Sequence, residues 1–580
     1  MHRCHQFVAA TALLLLPYLA TSANASLVDN FELLDQRGDA HELYYLSDAS
    51  AVVLMAHASG CRGGQEAARE LEKLAETYAP KGVEIRLLNS SLDDNRATIR
   101  AAMDAKDNGL AVLIDDTQLI GESLEFWQAG EAVVIDPGTW RTVYRGDIDG
   151  VAATLDAILG GNPVPAPVAL QESCAVAFPE QKRRSTHADI SYTDTIAPLL
   201  IEKCLTCHRP GGIGPWVMSD HNMVLGFSLM MREVVRTQRM PPWHADPHHG
   251  QFKNDRSLSV EEKQTLVHWI EAGAPRGEGT DPLANFVHDW PEWGLGSPDV
   301  VVDIPAQEVP ASGVVDYQYP TVTNPLDHDV WVRAAEILPG DRAALHHVIT
   351  TFRAPGQGSG RSRFGGRGSG GLGGYVPGTT GSVYPANTGR LLPAGSTIRF
   401  QMHYTPYGRE TTDRSQLGIY LHEDEPLHRL GGRTLINFRF RIPPHTKAHT
   451  AKAEHVFKDD VLVYSLLPHS HYRGKASDFV AFYPSGEKEI LLSVPNYDFN
   501  WQTTYRLETP KVLPAGTRLV HSTTWDNSTQ NPANPDPSKE VRWGQQSWAE
   551  MLFGSVTYRT CLLYTSPSPR DATLSRMPSS

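Results

Sequence analysis

Ala51-Val-Val-Leu-Met-Ala56 is an unbroken apolar run of strand length, Cys61 follows it, and from Gly64 to Tyr78 the apolar residues recur at helical spacing. A buried strand thus enters a helix through a turn that carries a thiol. Outward from this stretch, Val83-Glu-Ile-Arg-Leu-Leu88, Leu110-Ala-Val-Leu-Ile114 and Glu131-Ala-Val-Val-Ile135 read as further strands, the last ended by Asp136-Pro-Gly138. Strands that alternate with helical segments predict an α/β sandwich with a partly parallel sheet over residues 27–160.

The order of these elements, with Cys61 at the strand-to-helix turn, resembles the thioredoxin/peroxiredoxin-like family. There is no Cys-x-x-Cys, and Gln128-Ala-Gly-Glu-Ala132 stands where that family places a cis-proline. Cys61 therefore has two readings. A helix N-terminus lowers a thiol pKa and suits a one-cysteine redox centre; a degenerate module would use the same fold for docking or stability. Cys174 is available to pair with Cys61, and the sequence does not decide that pairing.

The chain has 580 residues, enough for several domains at about 150 residues each. A net charge of −14 argues against a nucleic-acid partner, and 24 His against six Cys point to metal chemistry carried by imidazole. Residues 1–25 read as a secretory signal: His2 and Arg3, an apolar run from Phe7 to Ala20, then Ala23-Asn24-Ala25. The expected location is periplasmic or secreted, with no membrane span once the signal is removed. Residues 559–580, from Cys561-Leu-Leu-Tyr-Thr-Ser onward polar and rich in Pro and Ser, read as a non-native or disordered tail.

Residues 161–185, with Pro163, Pro165 and Pro167, read as a linker, and residues 190–280 as mostly helical. Within them Cys204-Leu-Thr-Cys207-His208 has the spacing of covalent haem attachment: two thiols on one turn reach the two vinyl groups, and the adjacent His meets the iron. Tyr192–Leu200 before it and Ser259–Pro275 after it resemble the first and last helices of a c-type cytochrome domain. Met218, Met223, Met230, Met231 and Met240 are candidates for the second axial ligand. Met240 is singled out because Arg239-Met-Pro-Pro-Trp243 holds it in a proline-stiffened loop; His/Met ligation suits electron transfer.

Beyond residue 298 the pattern turns to short β runs and predicts all-β sandwiches over 298–425 and 426–558. Three histidine motifs stand in or beside those runs: Leu345-His346-His347-Val348, Gln401-Met-His403-Tyr404 and Leu467-Pro-His469-Ser-His471. Residues two apart on a strand share a face, so His469 and His471 can bind one metal together. Adjacent His346 and His347 converge only if a bulge or twist turns them, with His403 arriving from a neighbouring strand. A thioether as third ligand selects Cu(I), and Met551 in Ala549-Glu-Met551-Leu is placed to complete the second set.

The order His-His, His, His-x-His, then Met after an acidic residue resembles the type II copper, ascorbate-dependent monooxygenases, the peptidylglycine alpha-hydroxylating and dopamine beta-monooxygenase group. By that resemblance His346, His347 and His403 hold an electron-transfer copper, while His469, His471 and Met551 hold the copper where O2 and a C–H bond react. It implies two copper ions, O2, a small-molecule or peptide substrate, and ascorbate or a redox protein as donor. Haem c on the same chain is then expected to relay electrons to the three-His copper. Two departures stand out: residues 209–560 contain no Cys, and Leu467 occupies the position where the peptide-specific relatives use Arg on a substrate carboxylate. Gly356–Gly374, rich in Gly, Ser and Arg, reads as a flexible surface insertion. His328, His422, His428, His445, His449, His455 and His521 are assigned to surface or structural roles. Two further functions stay open: a non-catalytic electron carrier or copper-binding protein, and a thiol-dependent redox protein centred on Cys61.

Overall fold

The structure, a computed structural model, describes residues 26–103, 109–287, 291–356, 369–379 and 381–561. The signal segment, most of the terminal tail and most of the Gly-rich insertion lie outside these residues. Among the described residues no helix is long and apolar enough to cross a membrane.

The N-terminal unit is a five-stranded sheet in the order Val112–Ile114, Val83–Asn89, Ala51–Ala56, Ala132–Asp136, Arg141–Gly146. The first three strands run parallel and the last two antiparallel. The central strand is apolar at every position because both faces are covered. Val53 and Met55 pack with Ala68 and Leu71 of the helix Arg62–Tyr78 and with Leu155 of the helix Val151–Leu159. Val52 and Leu54 face Phe31, Leu43, Ile120 and Phe126 on the other side. This is the expected thioredoxin-like α/β fold.

The linker is held rather than free. The Val176 N–H donates to the Trp127 carbonyl, the Ala129 N–H donates to that of Cys174, and Phe178 is buried. The helical unit that follows contains Ala197–Lys203, His221–Arg236 and Val260–Glu271 around one apolar cluster that includes Leu200, Val224, Leu266 and Trp269. Ser259 and Glu262 form a reciprocal capping box that starts the last of these helices.

The C-terminal half is a large β-rich region. Its first unit pairs one sheet, Thr321–Thr323, Thr397–Tyr404, Leu345–Arg353 and Ser369–Tyr375, with a second built on Val330–Leu338 and Gln416–Leu421. Val332, Leu345, Phe400 and Ile419 meet in its core. The second unit stacks Gly431–Asn437, Leu552–Thr560, Val461–His469 and Tyr505–Leu513 on His449–Val456, Arg518–Trp525, Gly474–Phe482 and Lys488–Val494. Leu466, Phe479 and Trp525 lie in its core. Two boundaries differ from the sequence pattern. Pairing with the first unit continues to Leu430, whose N–H reaches the Gly389 carbonyl, and the last strand runs past Tyr558 to Thr560 because Val461 offers it a partner.

Candidate metal and redox centres

The first imidazole set is built on one strand pair. The ladder between Leu345–Arg353 and Thr397–Tyr404 places His347 opposite His403, and its register slips between Leu345 and His347. That irregularity at His346 lets neighbouring residues turn their rings to one side. The ring centroids lie 5.5 Å apart for His346–His347, 4.9 Å for His346–His403 and 5.0 Å for His347–His403. Each ring offers a nitrogen within 4.8 Å of the others. The Nδ1 atoms of His346 and His347 are 3.2 Å apart. Two nitrogens each about 2.0 Å from one tetrahedral ion would be about 3.3 Å apart, so this spacing fits a shared metal. His346 Nε2, His347 Nε2 and His403 Nδ1 are buried without a partner, and such polar atoms call for an explanation.

In the second set, His469 ends the strand Val461–His469 and His471 follows in the turn; their centroids are 5.2 Å apart. His469 Nδ1 donates to Gln502 Oε1 at 2.6 Å, and His471 Nδ1 donates to the Ala549 carbonyl at 3.1 Å. Each bond leaves the ring's lone pair on Nε2, the arrangement that a metal ligand needs. His471 Nε2 is buried and unpartnered. Met551, also buried, lies two residues before Phe553, the ladder partner of His469.

Burial holds all five imidazoles neutral. His346 and His469 are pushed down to about 4 and His403 to about 3, while His347 and His471 fall well below the usual histidine range. For His347 the surrounding imidazoles add to the effect of burial, since no neighbour tolerates a second positive charge. The two sets are neighbours, with the rings of His347 and His469 6.4 Å apart. Tyr317 packs edge-on against His347, His403 and His471, and Phe499 stacks on His346 at 5.4 Å and also meets His403 and His471. Tyr317, Phe499 and Gln502 belong to no local motif, so periodicity offers no signal for them.

In Cys204-Leu-Thr-Cys207-His208, Cys204 caps the helix Ala197–Lys203, and both Cys204 and Cys207 are free thiols. Burial pushes Cys204 up to about 12, and burial also raises Cys207. His208 Nδ1 donates to the Trp216 carbonyl at 3.0 Å, which leaves Nε2 with the lone pair, as an axial ligand requires. Met218 and Met231 are buried in the helical core, and Met223 and Met230 are exposed. Met240 is half-buried in the turn after the helix His221–Arg236, and the loop beyond delivers Trp243 to the core of the second β unit. Cys207 abuts the first β unit: a Cβ on Gly378 would lie 2.8 Å from Cys207 Sγ.

The N-terminal unit holds a Cys61–Cys174 disulfide, with Cys61 buried at the N-cap of the helix Arg62–Tyr78 and Cys174 exposed. The pairing left open by the sequence is therefore made. Elsewhere Glu180, His187 and His268 offer ligand atoms within 4.8 Å of one another. The two rings, however, stack in nearly parallel planes 4.2 Å apart, which sends their lone pairs along parallel planes rather than to one point. His268 Nε2 is also engaged with Glu122 Oε2 at 3.0 Å. Among the other histidines, His521 is fully buried against Phe479, and His422 Nε2 donates to the Thr388 carbonyl.

The AhpC/TSA family matches residues 26–151, so this segment is a thioredoxin-like domain. Solved structures similar to this part include an uncharacterised conserved protein from Geobacillus kaustophilus, with 23% identity over 27% of this chain and 94% of that one, at a TM-score of 0.25. A hypothetical protein from Sinorhizobium meliloti 1021 has 20% identity over 26% and 92% of the two chains, at a TM-score of 0.25. The peroxidoxin BcpB from Mycobacterium tuberculosis has 19% identity over 24% and 96%, at a TM-score of 0.21. No curated protein matches the chain.

Proposed function

We propose that the chain is an exported copper-dependent monooxygenase that hydroxylates a C–H bond of an organic substrate. The reaction takes R–H, O2, two electrons and two protons to R–OH and water. Ascorbate or a redox protein would supply the electrons; Cys204, Cys207, His208 and Met240 would hold a haem c, which would supply one-electron relay chemistry. The observation that carries this reading is the meeting of five neutral imidazoles from two β units, four of them buried, with the Nδ1 atoms of His346 and His347 3.2 Å apart and His403 Nδ1 and His471 Nε2 buried without a partner.

When bound, copper supplies one-electron chemistry and the activation of O2. His346, His347 and His403 would hold one ion; His469, His471 and Met551 would hold the other. Gln502 and the Ala549 carbonyl keep the protons of His469 and His471 on Nδ1 and so keep both rings fit to bind. Tyr317 and Phe499 pack against imidazoles of both sets. Cys207 touches the turn that follows the strand Ser369–Tyr375, which pairs with the strand carrying His347; this contact supports electron entry at the three-imidazole set.

Full-length protein loaded with copper tests the reading. It is expected to hold two coppers and one haem iron, and to consume O2 with a reductant in a manner abolished by copper chelation. Failure to bind copper would sink the proposal. In stopped-flow mixing of reduced protein with O2, a haem that stays reduced through turnover would rule out the relay.

The AhpC/TSA match and the Cys61–Cys174 disulfide favour a second reading, thiol–disulfide exchange in which a dithiol partner attacks at exposed Cys174 and releases Cys61 as a thiol. A Cys61→Ser variant separates the two: full copper-dependent O2 uptake with no thiol activity to lose would remove this reading.

A further inference from the structure

We infer that Glu550 is the positioning residue that ties the Met551 thioether to the His469–His471 turn, an inference that rests on reading this set as a copper centre. Glu550 is fully buried, and its carboxylate is shared among the donors of that turn. Oε2 accepts the His471 N–H at 2.9 Å, the Ser470 hydroxyl at 2.8 Å and the Trp525 indole N–H at 3.0 Å. Oε1 accepts the Arg473 N–H at 2.7 Å.

The sheet does not do this work. The ladder between Val461–His469 and Leu552–Thr560 ends at His469 opposite Phe553, so it stops short of Met551. The backbone of Glu550 bonds to Arg542 and Gly544, which carry none of the proposed ligands. What joins this segment to the His-x-His turn is the Glu550 side chain, together with the Ala549 carbonyl on the His471 ring and the Trp548 carbonyl, which accepts from Arg473 Nη1 at 2.9 Å; of these, Glu550 alone accepts the His471 and Arg473 backbone N–H groups. A thioether is neutral and weakly attracted to a metal, so its place must be set before the ion arrives.

X-ray absorption at the copper edge, on full-length protein loaded with cuprous ion, tests the inference. Wild type is expected to show about half a sulfur per copper, one site of two bearing it. In Glu550→Ala the sulfur signal should vanish and one copper should bind about ten- to a hundred-fold more weakly, while the three-imidazole copper keeps its affinity as an internal control. Glu550→Gln retains an oxygen acceptor and should restore most of the sulfur signal. A folded Glu550→Ala with unchanged sulfur and unchanged affinities overturns the inference. If that variant does not fold, Trp525→Phe, which removes one donor to the Glu550 carboxylate, decides: it should weaken the sulfur-bearing copper alone, and a loss shared by both coppers, or by neither, overturns the inference. A wild type without sulfur scattering sinks the reading of the centre itself.

Discussion

At the scale of single residues, tautomer and burial decide what the histidines can do. Gln502 is buried, and its Oε1 takes the His469 Nδ1 proton while its own amide donates to the Phe499 carbonyl at 3.1 Å. Gln502→Leu should therefore weaken copper at the second set by about ten- to a hundred-fold and leave the first untouched, as a competitive chelator titration would read. Met551→Ala should likewise remove one copper and spare the three-imidazole site; loss of both would break the division into sets. The histidine motifs themselves were legible in the sequence, since identity and spacing suffice to group His346, His347, His403, His469 and His471. Gln502, Tyr317 and Phe499 were not, because a side chain that reaches a metal ligand across a fold leaves no trace in local periodicity.

At the scale of elements, strand register and close backbone contacts set the site. Gly374 lies opposite Ile349, and a Cβ there would strike the carbonyl of Val348, one residue past His347. Gly374→Ala should cost about 1–3 kcal/mol in denaturant unfolding and weaken copper at the first set alone, because the clash falls on backbone that cannot swing away. Removing the Ser259 cap should lower stability by about 0.5–2 kcal/mol without touching either imidazole set. Element type was readable where both faces of a strand are buried, as at Ala51–Ala56. The slip between Leu345 and His347 was foreseeable only as a requirement of the chemistry; its position depends on the partner strand.

At the scale of the molecule, buried ions and one covalent link join units distant in sequence. Arg96 of the thioredoxin-like domain meets Asp246, in the loop just past Trp243, at 2.6 Å, with both side chains buried. Asp246→Ala would strand a buried guanidinium and should cost about 3–5 kcal/mol, read as a loss of cooperativity between units in calorimetry. The disulfide closes a separation of 113 residues, so its reduction should destabilise the N-terminal unit by about 4–5 kcal/mol. Burial pushes Asp35 up, but the hydrogen bond and charge of His41, with further help from Asp39 and Arg37, outweigh this and hold it at about 2. Its folded pKa is below the unfolded value, so its contribution is present above about pH 4 and is lost as pH falls toward 2. Asp35→Asn should flatten acid unfolding in that window.

The sequence by itself determined the N-terminal α/β class, the β-rich C-terminal half and the identity of the histidine motifs, because alternation, apolar runs and motif spacing are properties of neighbouring residues. Only the tertiary structure decided that Cys61 pairs with Cys174, that the two imidazole sets are neighbours with Tyr317 and Phe499 packed against both, and that Glu550 grips the His-x-His turn. Those contacts join residues tens to hundreds of positions apart, and their distances depend on how packed units dock, which no local pattern encodes.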